Sequence, residues 1–351
     1  MTGEIAHTNL LMKMLAIPAV SREEQDRADF LEGYIKALGW PLTRIFNNLL
    51  VGDPEAAGAP VLLNSHMDTV PPADAWESDP FSPQLEGEKI IGLGSNDAGA
   101  SVVCMLAAFA RMRPKLHEGI NLMLLISAEE EVSGSKGISA VLPMLGNLDA
   151  VIVGEPTGMA PAVAERGLMV LDGTVRGKAG HAARNEGQNA IYAAMEDLEA
   201  IQKLKFTKRS EWLPEPGAQV TMISAGSRHN MVPDLCSYVV DVRSNDQYGN
   251  EAMLALIRSA CKAELNPRSL RLKPSGLDDD HKLMQAIRDA GLQPFGSSTL
   301  SDMALIPFPA VKMGPGDSSR SHTAGEYVFT SELDQGVEAY CRFLEHIANY
   351  N

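Results

Sequence analysis

An apolar run in the first quarter of the chain ends on two residues that can bind a metal ion or move a proton. The segment LLNSHMDTVPP (62–72) leads from a strand-like stretch into His66, with Asp68 two positions later. Residues i and i+2 of a strand face the same way, so the Asp68 carboxylate could accept the second ring N–H of a metal-bound His66. The alternative for Asp68 is a turn-forming aspartate before the two prolines, and this motif alone leaves both open.

Four further residues of metal-binding type follow other strand-like segments. With His66 they make a set of two imidazoles and three carboxylates: His66, Asp97, Glu131, Glu155 and His322. Taken singly, each is more often a cap or a surface group, but together these donors suit Zn²⁺, Co²⁺ or Mn²⁺. Two ions about 3.5–4 Å apart need one bridging carboxylate. The ligand count predicts His66 and Glu155 on one ion, Glu131 and His322 on the other, and Asp97 shared.

Three consecutive acids, Glu129–Glu131, follow the apolar strand GINLMLLIS. A charge run of this kind is usually a solvated surface, but its place directly after a buried strand puts it at the edge of a sheet. Neighbouring residues point in different directions, so Glu131 can bind metal while Glu130 faces the bound water and acts as the general base. Glu129 is then expected to be structural or exposed.

The segments that carry these residues alternate between strands and helices. Up to Glu155 the order indicates an α/β domain with a mostly parallel sheet, and ligands bind at the carboxyl edge of such sheets. The stretch SREEQDRADFLEGYIKALGW predicts a helix with Ser21 as its N-cap. The N-terminal segment is expected to form an amphipathic helix and not a signal peptide.

After Glu155 the pattern changes to β-α-β-β-α-β, which is typical of a ferredoxin-like α+β unit. We place this inserted domain at 168–275. The residues on either side, 1–167 and 276–351, then form one discontinuous catalytic domain.

Composition limits the function classes. The 351 residues are 45% hydrophobic and carry a net charge of −15, which disfavours nucleic acid and anionic membrane surfaces because both would repel the chain. The four cysteines are scattered, so free thiols in a reducing compartment are expected. No stretch reaches the roughly 18 apolar residues of a membrane span. A cytoplasmic enzyme is the class that fits.

Ordered motifs along most of the chain resemble those of the M20 family of metallo-aminoacylases and peptidases. The motifs are SHMDTVPP, GLGSNDAGAS, SAEEEVSG, VGEPTG, GKAGHAARNEGQNA, HNMVPD, DVRS, TLSDMA and SRSHTAGEYV. The resemblance implies a zinc-peptidase-like catalytic domain with two divalent ions, Zn²⁺ foremost. It puts the general base at Glu130 and the metal ligands at His66, Asp97, Glu131, Glu155 and His322. One departure is Ala98–Gly99, where many relatives have a bulkier pair after the bridging aspartate.

The resemblance also implies roles for residues that spacing does not reveal. His181 matches a histidine of the inserted domain that stabilises the oxyanion, often across a dimer; a surface histidine is the alternative. Asn230 matches a substrate contact, and Arg243 matches a carboxylate-binding arginine, with a strand-end salt bridge as the alternative. Arg320 lies close to His322 in SSRSH and favours an anionic group on the substrate. The inserted domain is expected to act as a lid and as the contact of a homodimer.

The predicted activity is hydrolysis of a small N-acyl amino acid. The motifs GSNDAGAS and GPGDSSRSHTAGEY are most similar to a branch of acetylornithine deacetylases, so N2-acetylornithine, cleaved to ornithine and acetate, is the main prediction. Removal of an N-succinyl group and hydrolysis of di- or tripeptides are the alternatives. A receptor that has kept only the fold is disfavoured, because all five ligands and Glu130 are present.

Overall fold

The structure is a computed structural model that describes residues 5–116 and 118–350, and the chain divides into two compact units. The first unit contains the described residues up to Val163, Leu277–Phe295, and those from Ser301 onward. The second contains Ala164–Gly276 and Gly296–Leu300.

The second unit begins four residues before and its main segment ends one residue after the predicted inserted domain, 168–275, and it contains one further part outside those boundaries. That part is the short segment Gly296–Leu300. Its backbone lies against Trp212, since a Cβ atom on Gly296 would come within 2.0 Å of the Trp212 carbonyl oxygen. A glycine is required for this close approach, and the sequence pattern held no sign of the partner.

Seven helices and eighteen strands are present in the described residues. The helices are α1 (His7–Leu15), α2 (Gln25–Ala37), α3 (Ala100–Leu116), α4 (Ala190–Gln202), α5 (Asn250–Ala260), α6 (Lys282–Asp289) and α7 (Thr330–Ala348). The strands are β1 (Leu42–Ile45), β2 (Asn48–Val51), β3 (Ala59–His66), β4 (Gln84–Glu86), β5 (Lys89–Ile91), β6 (Ile120–Ser127), β7 (Ala150–Val153), β8 (Ala162–Glu165), β9 (Gly167–Arg176), β10 (Gly180–His181), β11 (Gly217–Ala225), β12 (Met231–Val232), β13 (Leu235–Ser244), β14 (Glu264–Pro267), β15 (Ser275–Gly276), β16 (Phe295–Ser297), β17 (Ala310–Lys312) and β18 (Tyr327–Phe329).

The first unit is built on a mostly parallel sheet with the order β1-β2-β6-β3-β7-β17-β8. The central strands β6, β3, β7 and β17 are mutually parallel, and β6 is buried along its whole length, as expected of a strand covered on both faces. The register pairs His66 with Ser127 and Asn64 with Val153. Three parallel strands therefore end at one edge of the sheet, as predicted for an α/β fold.

A small sheet in the same unit has the order β18-β5-β4. Tyr327 of β18 pairs with Ile91 of β5 in antiparallel register. The pairing brings the segment that follows His322 next to the segment that precedes Asp97, although the two are distant in sequence.

The second unit has an antiparallel sheet with the order β11-β13-β9-β14. Along the chain its long elements run β9, α4, β11, β13, α5 and β14, so the predicted β-α-β-β-α-β order is present. Buried side chains of α4, α5 and the sheet form one hydrophobic core, which includes Leu171, Tyr238, Val240 and Ile257.

The four cysteines are free thiols, as predicted. Within residues 5–116 and 118–350, none of the helices combines the length and the apolar character that crossing a bilayer requires.

The second unit also contains a buried carboxylate, Asp197. It accepts hydrogen bonds from the N–H groups of Lys262 at 2.7 Å and Ala263 at 2.9 Å, and the Tyr238 hydroxyl donates to it at 3.2 Å. Asp197→Asn replaces one acceptor oxygen by an NH₂ group that faces a donor. We expect it to lower the free energy of unfolding by about 1–3 kcal/mol, measured by urea unfolding together with amide exchange at Lys262 and Ala263.

Glu196→Gln is the matched control. The exposed Glu196 carboxylate pairs with Lys262 Nζ at 2.6 Å, and a surface pair of this kind contributes about 0–1 kcal/mol. Equal loss of stability in the two variants would contradict the role given to Asp197.

Candidate metal centre

The five predicted ligands lie together in the first unit, at the carboxyl edge of its sheet. His66, the last residue of β3, is buried. Its Nε2 atom lies 3.2 Å from Asp97 Oδ1 and 3.7 Å from Glu155 Oε1. Donor atoms bound to one tetrahedral ion at about 2.0–2.2 Å are roughly 3.3–3.6 Å apart. Each of these two carboxylates is therefore close to the distance expected of a ligand that shares an ion with His66. Donor atoms of His66, Asp97 and Glu131 lie within 4.8 Å of one another, as do those of His66, Glu130 and Glu155.

His322 approaches the other oxygen of Asp97. Its Nε2 atom lies 3.6 Å from Asp97 Oδ2 and 3.1 Å from Glu131 Oε2. The hydrogen bond with Glu131 raises the pKa of the His322 imidazole. The two oxygens of one carboxylate thus face two different histidines, and each histidine has a further carboxylate beside it.

Negative charge exceeds positive charge around these donors. Burial and repulsion from Asp97 raise the pKa of Glu155 well above its usual value. Burial likewise raises the pKa of Glu130 well above its usual value, with repulsion from Glu155, Asp302 and Glu131 adding to the shift. Buried carboxylates this close together are stabilised by a cation, and the imidazole and carboxylate donors are those that Zn²⁺, Co²⁺ and Mn²⁺ accept. The residues present therefore fit a pair of divalent ions.

His66 contacts Asp68, but through the backbone carbonyl of Asp68 and not through the predicted carboxylate. His66 Nδ1 lies 3.0 Å from the backbone carbonyl oxygen of Asp68, whereas the Asp68 carboxylate lies 3.6 Å away. The carbonyl, and not the carboxylate, accepts the ring proton. Because a carbonyl oxygen can only accept, Nδ1 carries the proton and Nε2 is the nitrogen that faces Asp97 and Glu155.

The Asp68 carboxylate instead holds the turn that carries the acidic run. It accepts hydrogen bonds from the N–H groups of Glu130 at 3.1 Å and Glu131 at 3.2 Å. The Ser21 hydroxyl donates to the same carboxylate at 2.7 Å. The prediction of Ser21 as a helix cap is therefore wrong: α2 begins only at Gln25, and Ser21 supports the site.

The three acids of the run have different environments. Glu130 Oε2 lies 3.9 Å from His66 Nε2, beside the donor cluster. Glu129 has a left-handed backbone with φ of 54°, and its carboxylate accepts the Lys136 N–H at 3.1 Å. Its own N–H donates to Glu24 at 3.2 Å. Glu129 is thus structural, one of the two outcomes predicted for it.

Two buried carboxylates near the donors were not predicted. Asp302 accepts hydrogen bonds from Asn64 Nδ2 at 3.0 Å and from the Ser127 hydroxyl at 2.8 Å, and burial raises its pKa to about 6. Glu326 accepts N–H groups of the loop 94–97, and burial raises its pKa to about 7. Both lie in the motifs TLSDMA and SRSHTAGEYV, but sequence spacing carries no signal for contacts so far apart along the chain.

Arg320 is engaged by the protein itself. Its Nη1 atom lies 2.8 Å and 3.1 Å from the two oxygens of Glu332. The guanidinium also stacks on the rings of Tyr327 and Phe329, at 4.6 Å and 5.3 Å from their centroids. These contacts hold Arg320 in place without a substrate, and its role toward an anionic group of the substrate stays a prediction.

The remaining predicted residues lie in the second unit. His181 is in β10, which pairs with β12, and its Nδ1 atom accepts the Ala183 N–H at 3.2 Å. The carbonyl oxygen of Asn230 accepts the Ala182 N–H at 3.1 Å. Arg243 forms a two-point pair with Asp241, at 2.7 Å and 3.1 Å, which is the strand-end salt bridge named as its alternative. Substrate roles for these residues stay predictions.

Comparisons with known proteins agree with the geometry. The profile of Peptidase family M20/M25/M40 matches residues 62–346. Succinyl-diaminopimelate desuccinylase of Gluconobacter oxydans is 27% identical, over 79% of this chain and 78% of the relative. LysW-lysine/LysW-ornithine hydrolase of Sulfurisphaera tokodaii is 25% identical, over 96% and 94%.

The fold is also that of solved structures. YXEP of Bacillus subtilis, a dinuclear metal-binding peptidase, superposes with a TM-score of 0.68 at 16% identity, covering 98% of each chain. The family resemblance seen in the motifs is confirmed by the profile match, which covers most of the sequence. The chain belongs to peptidase family M20/M25/M40.

Proposed function

We propose that this protein is a dinuclear metal-dependent amidohydrolase that removes an N-succinyl group from an amino acid. The observation that carries the catalytic part is the placement of Asp97, whose two oxygens face His66 and His322. Glu130 lies beside this cluster. Membership of a peptidase and amidohydrolase family supports hydrolysis of an amide bond.

The five ligands divide between two ions in the proposal. His66 and Glu155 would hold one ion, Glu131 and His322 would hold the other, and Asp97 would contribute to both; Zn²⁺ is the first choice, with Co²⁺ or Mn²⁺ as alternatives. When bound, the ions polarise the scissile carbonyl and lower the pKa of water.

Glu130 carries the proton transfers. Its carboxylate takes a proton from the attacking water and later gives it to the departing nitrogen, which a carboxyl with a raised pKa does well. Asp68 keeps this carboxylate in place by binding the N–H groups of Glu130 and Glu131. The resemblance to the family adds His181 as the group that stabilises the oxyanion.

The succinyl group replaces acetyl as the leading proposal because of the relatives. The curated relatives that match over most of this chain include succinyl-diaminopimelate desuccinylases, which favours the stated alternative over N2-acetylornithine. The LysW-lysine/LysW-ornithine hydrolase acts on lysine or ornithine linked to LysW. The substrates in these names and the predicted substrate N2-acetylornithine are all diamino acids that carry an acyl group.

Glu130→Gln is expected to lower kcat by about 10²- to 10⁴-fold, the contribution of a general base, while both ions remain bound. Steady-state hydrolysis and metal analysis of the same preparation measure the two quantities. His181→Ala in the same assay is expected to lower kcat and to keep both ions. The control is Glu129→Gln, which alters the neighbouring acid and is expected to keep kcat within about tenfold. Full activity of Glu130→Gln would contradict the mechanism.

The acyl group is tested by comparing N-succinyl-diaminopimelate, N-succinylornithine and N2-acetylornithine on metal-loaded protein. We expect kcat/KM for a succinyl substrate to exceed that for the acetyl substrate by tenfold or more, which corresponds to about 1.4 kcal/mol in the transition state. A higher value for N2-acetylornithine would reverse the assignment. Hydrolysis of di- or tripeptides alone would move the activity to the peptidase alternative.

The second unit is also proposed to form a homodimer. Its strand β11 is the edge of the sheet, and Met222 and Ile223 on that strand are 65% and 55% exposed. Tyr192 and Met195 on α4 are likewise exposed. An unpaired strand edge with apolar side chains is a natural contact for a second copy.

Met222→Asp is expected to convert a dimer into a monomer, because a charge would be buried at the contact. Light scattering after size-exclusion chromatography measures the mass. Leu85→Asp is the control, because Leu85 is an exposed apolar residue of the first unit. A monomeric wild-type protein, or a dimer that tolerates Met222→Asp, would refute this contact.

A further inference from the structure

Glu326 binds the loop that carries Asp97 through three backbone N–H groups. One carboxylate oxygen accepts from Asn96 at 2.9 Å and from Asp97 at 2.9 Å. The other oxygen accepts from Gly94 at 3.1 Å. In addition, the Glu326 carbonyl oxygen accepts the N–H of Gly92 at 3.0 Å. Three of the four backbone N–H groups of residues 94–97 therefore bind one carboxylate.

This carboxylate occupies an unfavourable position for a negative charge. Glu326 is 2% exposed, and repulsion from Asp97 adds to the cost of burial. The nearby Arg27 guanidinium attracts this carboxylate, which opposes the lowering of the Arg27 pKa by burial. Three charge-assisted hydrogen bonds offset such a cost. A loop can be closed without a buried charge next to the donor cluster, which indicates a further role for Glu326.

Glu326 also belongs to the segment that carries His322. Its own N–H donates to the Thr323 carbonyl at 3.3 Å, in the turn directly after His322. Asn96 joins the same two segments, because its Oδ1 accepts the Asp317 N–H at 2.9 Å and its Nδ2 donates to Ser321 Oγ at 3.2 Å. The distance between Asp97 and His322 thus depends on these contacts.

His66 is held in a different way. It ends β3, whose register with β6 and β7 is set by the ladders of the central sheet. Loss of the Glu326 carboxylate would leave this strand end and Glu155 in place, while the loop 94–97 would lose three backbone hydrogen bonds and keep those of the Asn96 side chain. The two halves of the donor cluster are therefore expected to respond unequally.

We propose that Glu326 is a positioning residue that sets the Asp97 carboxylate against His322, so that its removal weakens the ion held by Glu131 and His322 more than the ion held by His66 and Glu155. The inference rests on the dinuclear site of the proposed function. It does not depend on the substrate.

The test is stepwise binding of Co²⁺ to metal-free protein, followed by the visible absorption of the bound ion and by competition with a chromophoric chelator. The step that His322→Ala abolishes belongs to the ion of Glu131 and His322. For Glu326→Gln we expect this step to lose at least tenfold in affinity and the other step to change by less than threefold. An amide oxygen can keep the bonds from Asn96 and Asp97, but the amide NH₂ then faces the Gly94 N–H. Glu326→Ala, which loses all three bonds, is expected to have the larger effect.

Asp197→Asn is the matched control. Asp197 is likewise a buried carboxylate that accepts two backbone N–H groups, but it belongs to the second unit, so both Co²⁺ steps are expected to stay unchanged. If Glu326→Ala fails to fold, judged by circular dichroism, Glu326→Gln decides the question alone. Wild-type affinity for both ions in a folded Glu326→Gln variant would overturn the inference, as would equal weakening of both steps.

The outcomes separate the positioning role from the proposed function. Wild-type protein that binds two ions yet cleaves no acyl substrate would refute the substrate proposal and leave the Co²⁺ result valid. Wild-type protein that binds fewer than two ions would overturn the dinuclear site and the role of Glu326 together.

Discussion

Repulsion among buried carboxylates at one sheet edge is the constraint on which the rest of the first unit depends. Asp97, Glu131 and Glu155 approach two histidines, and Glu130 lies against the same cluster. In a region from which water is largely excluded, burial and repulsion raise the pKa of Glu155 and Glu130 well above their usual values and oppose folding of the charged, metal-free site. Two divalent ions would reverse the sign of these interactions, so the same side chains that destabilise the metal-free chain become the source of metal affinity.

A second set of acids binds the backbone of the segments that carry the first set. Asp68 binds the N–H groups of Glu130 and Glu131, and Glu326 binds those of Gly94, Asn96 and Asp97. Each of these acceptors fixes the backbone of a loop that follows a strand. These hydrogen bonds make the irregular loops more rigid, because water does not compete for an N–H group that binds a buried carboxylate.

The sequence predicted the α/β and ferredoxin-like units and the residues that the structure gathers around His66 and His322. Those predictions rest on local signals: residue type, and position directly after an apolar strand. The residues that were missed act through contacts between distant parts of the chain. The hydrogen bond from Ser21 to Asp68 has no local signal in the sequence, so the sequence predicts Ser21 as a helix cap. The pair between Arg320 and Glu332, twelve residues away on the next helix, has no local signal either.

The acyl group is harder to infer than the catalytic residues for a related reason. Recognition of a succinyl carboxylate requires a cation, and the two arginines predicted to bind substrate are already paired, Arg320 with Glu332 and Arg243 with Asp241. A substrate that used Arg243 would have to replace Asp241. The free energy gained on binding is then the difference between the Arg243–substrate pair and the Arg243–Asp241 pair. The existing pair is weak because both side chains are partly exposed. If the proposed succinyl substrate used Arg243, its selectivity over acetyl would depend on how completely the bound substrate excludes water from that exchange. Residue types along the chain do not encode this property of the complex.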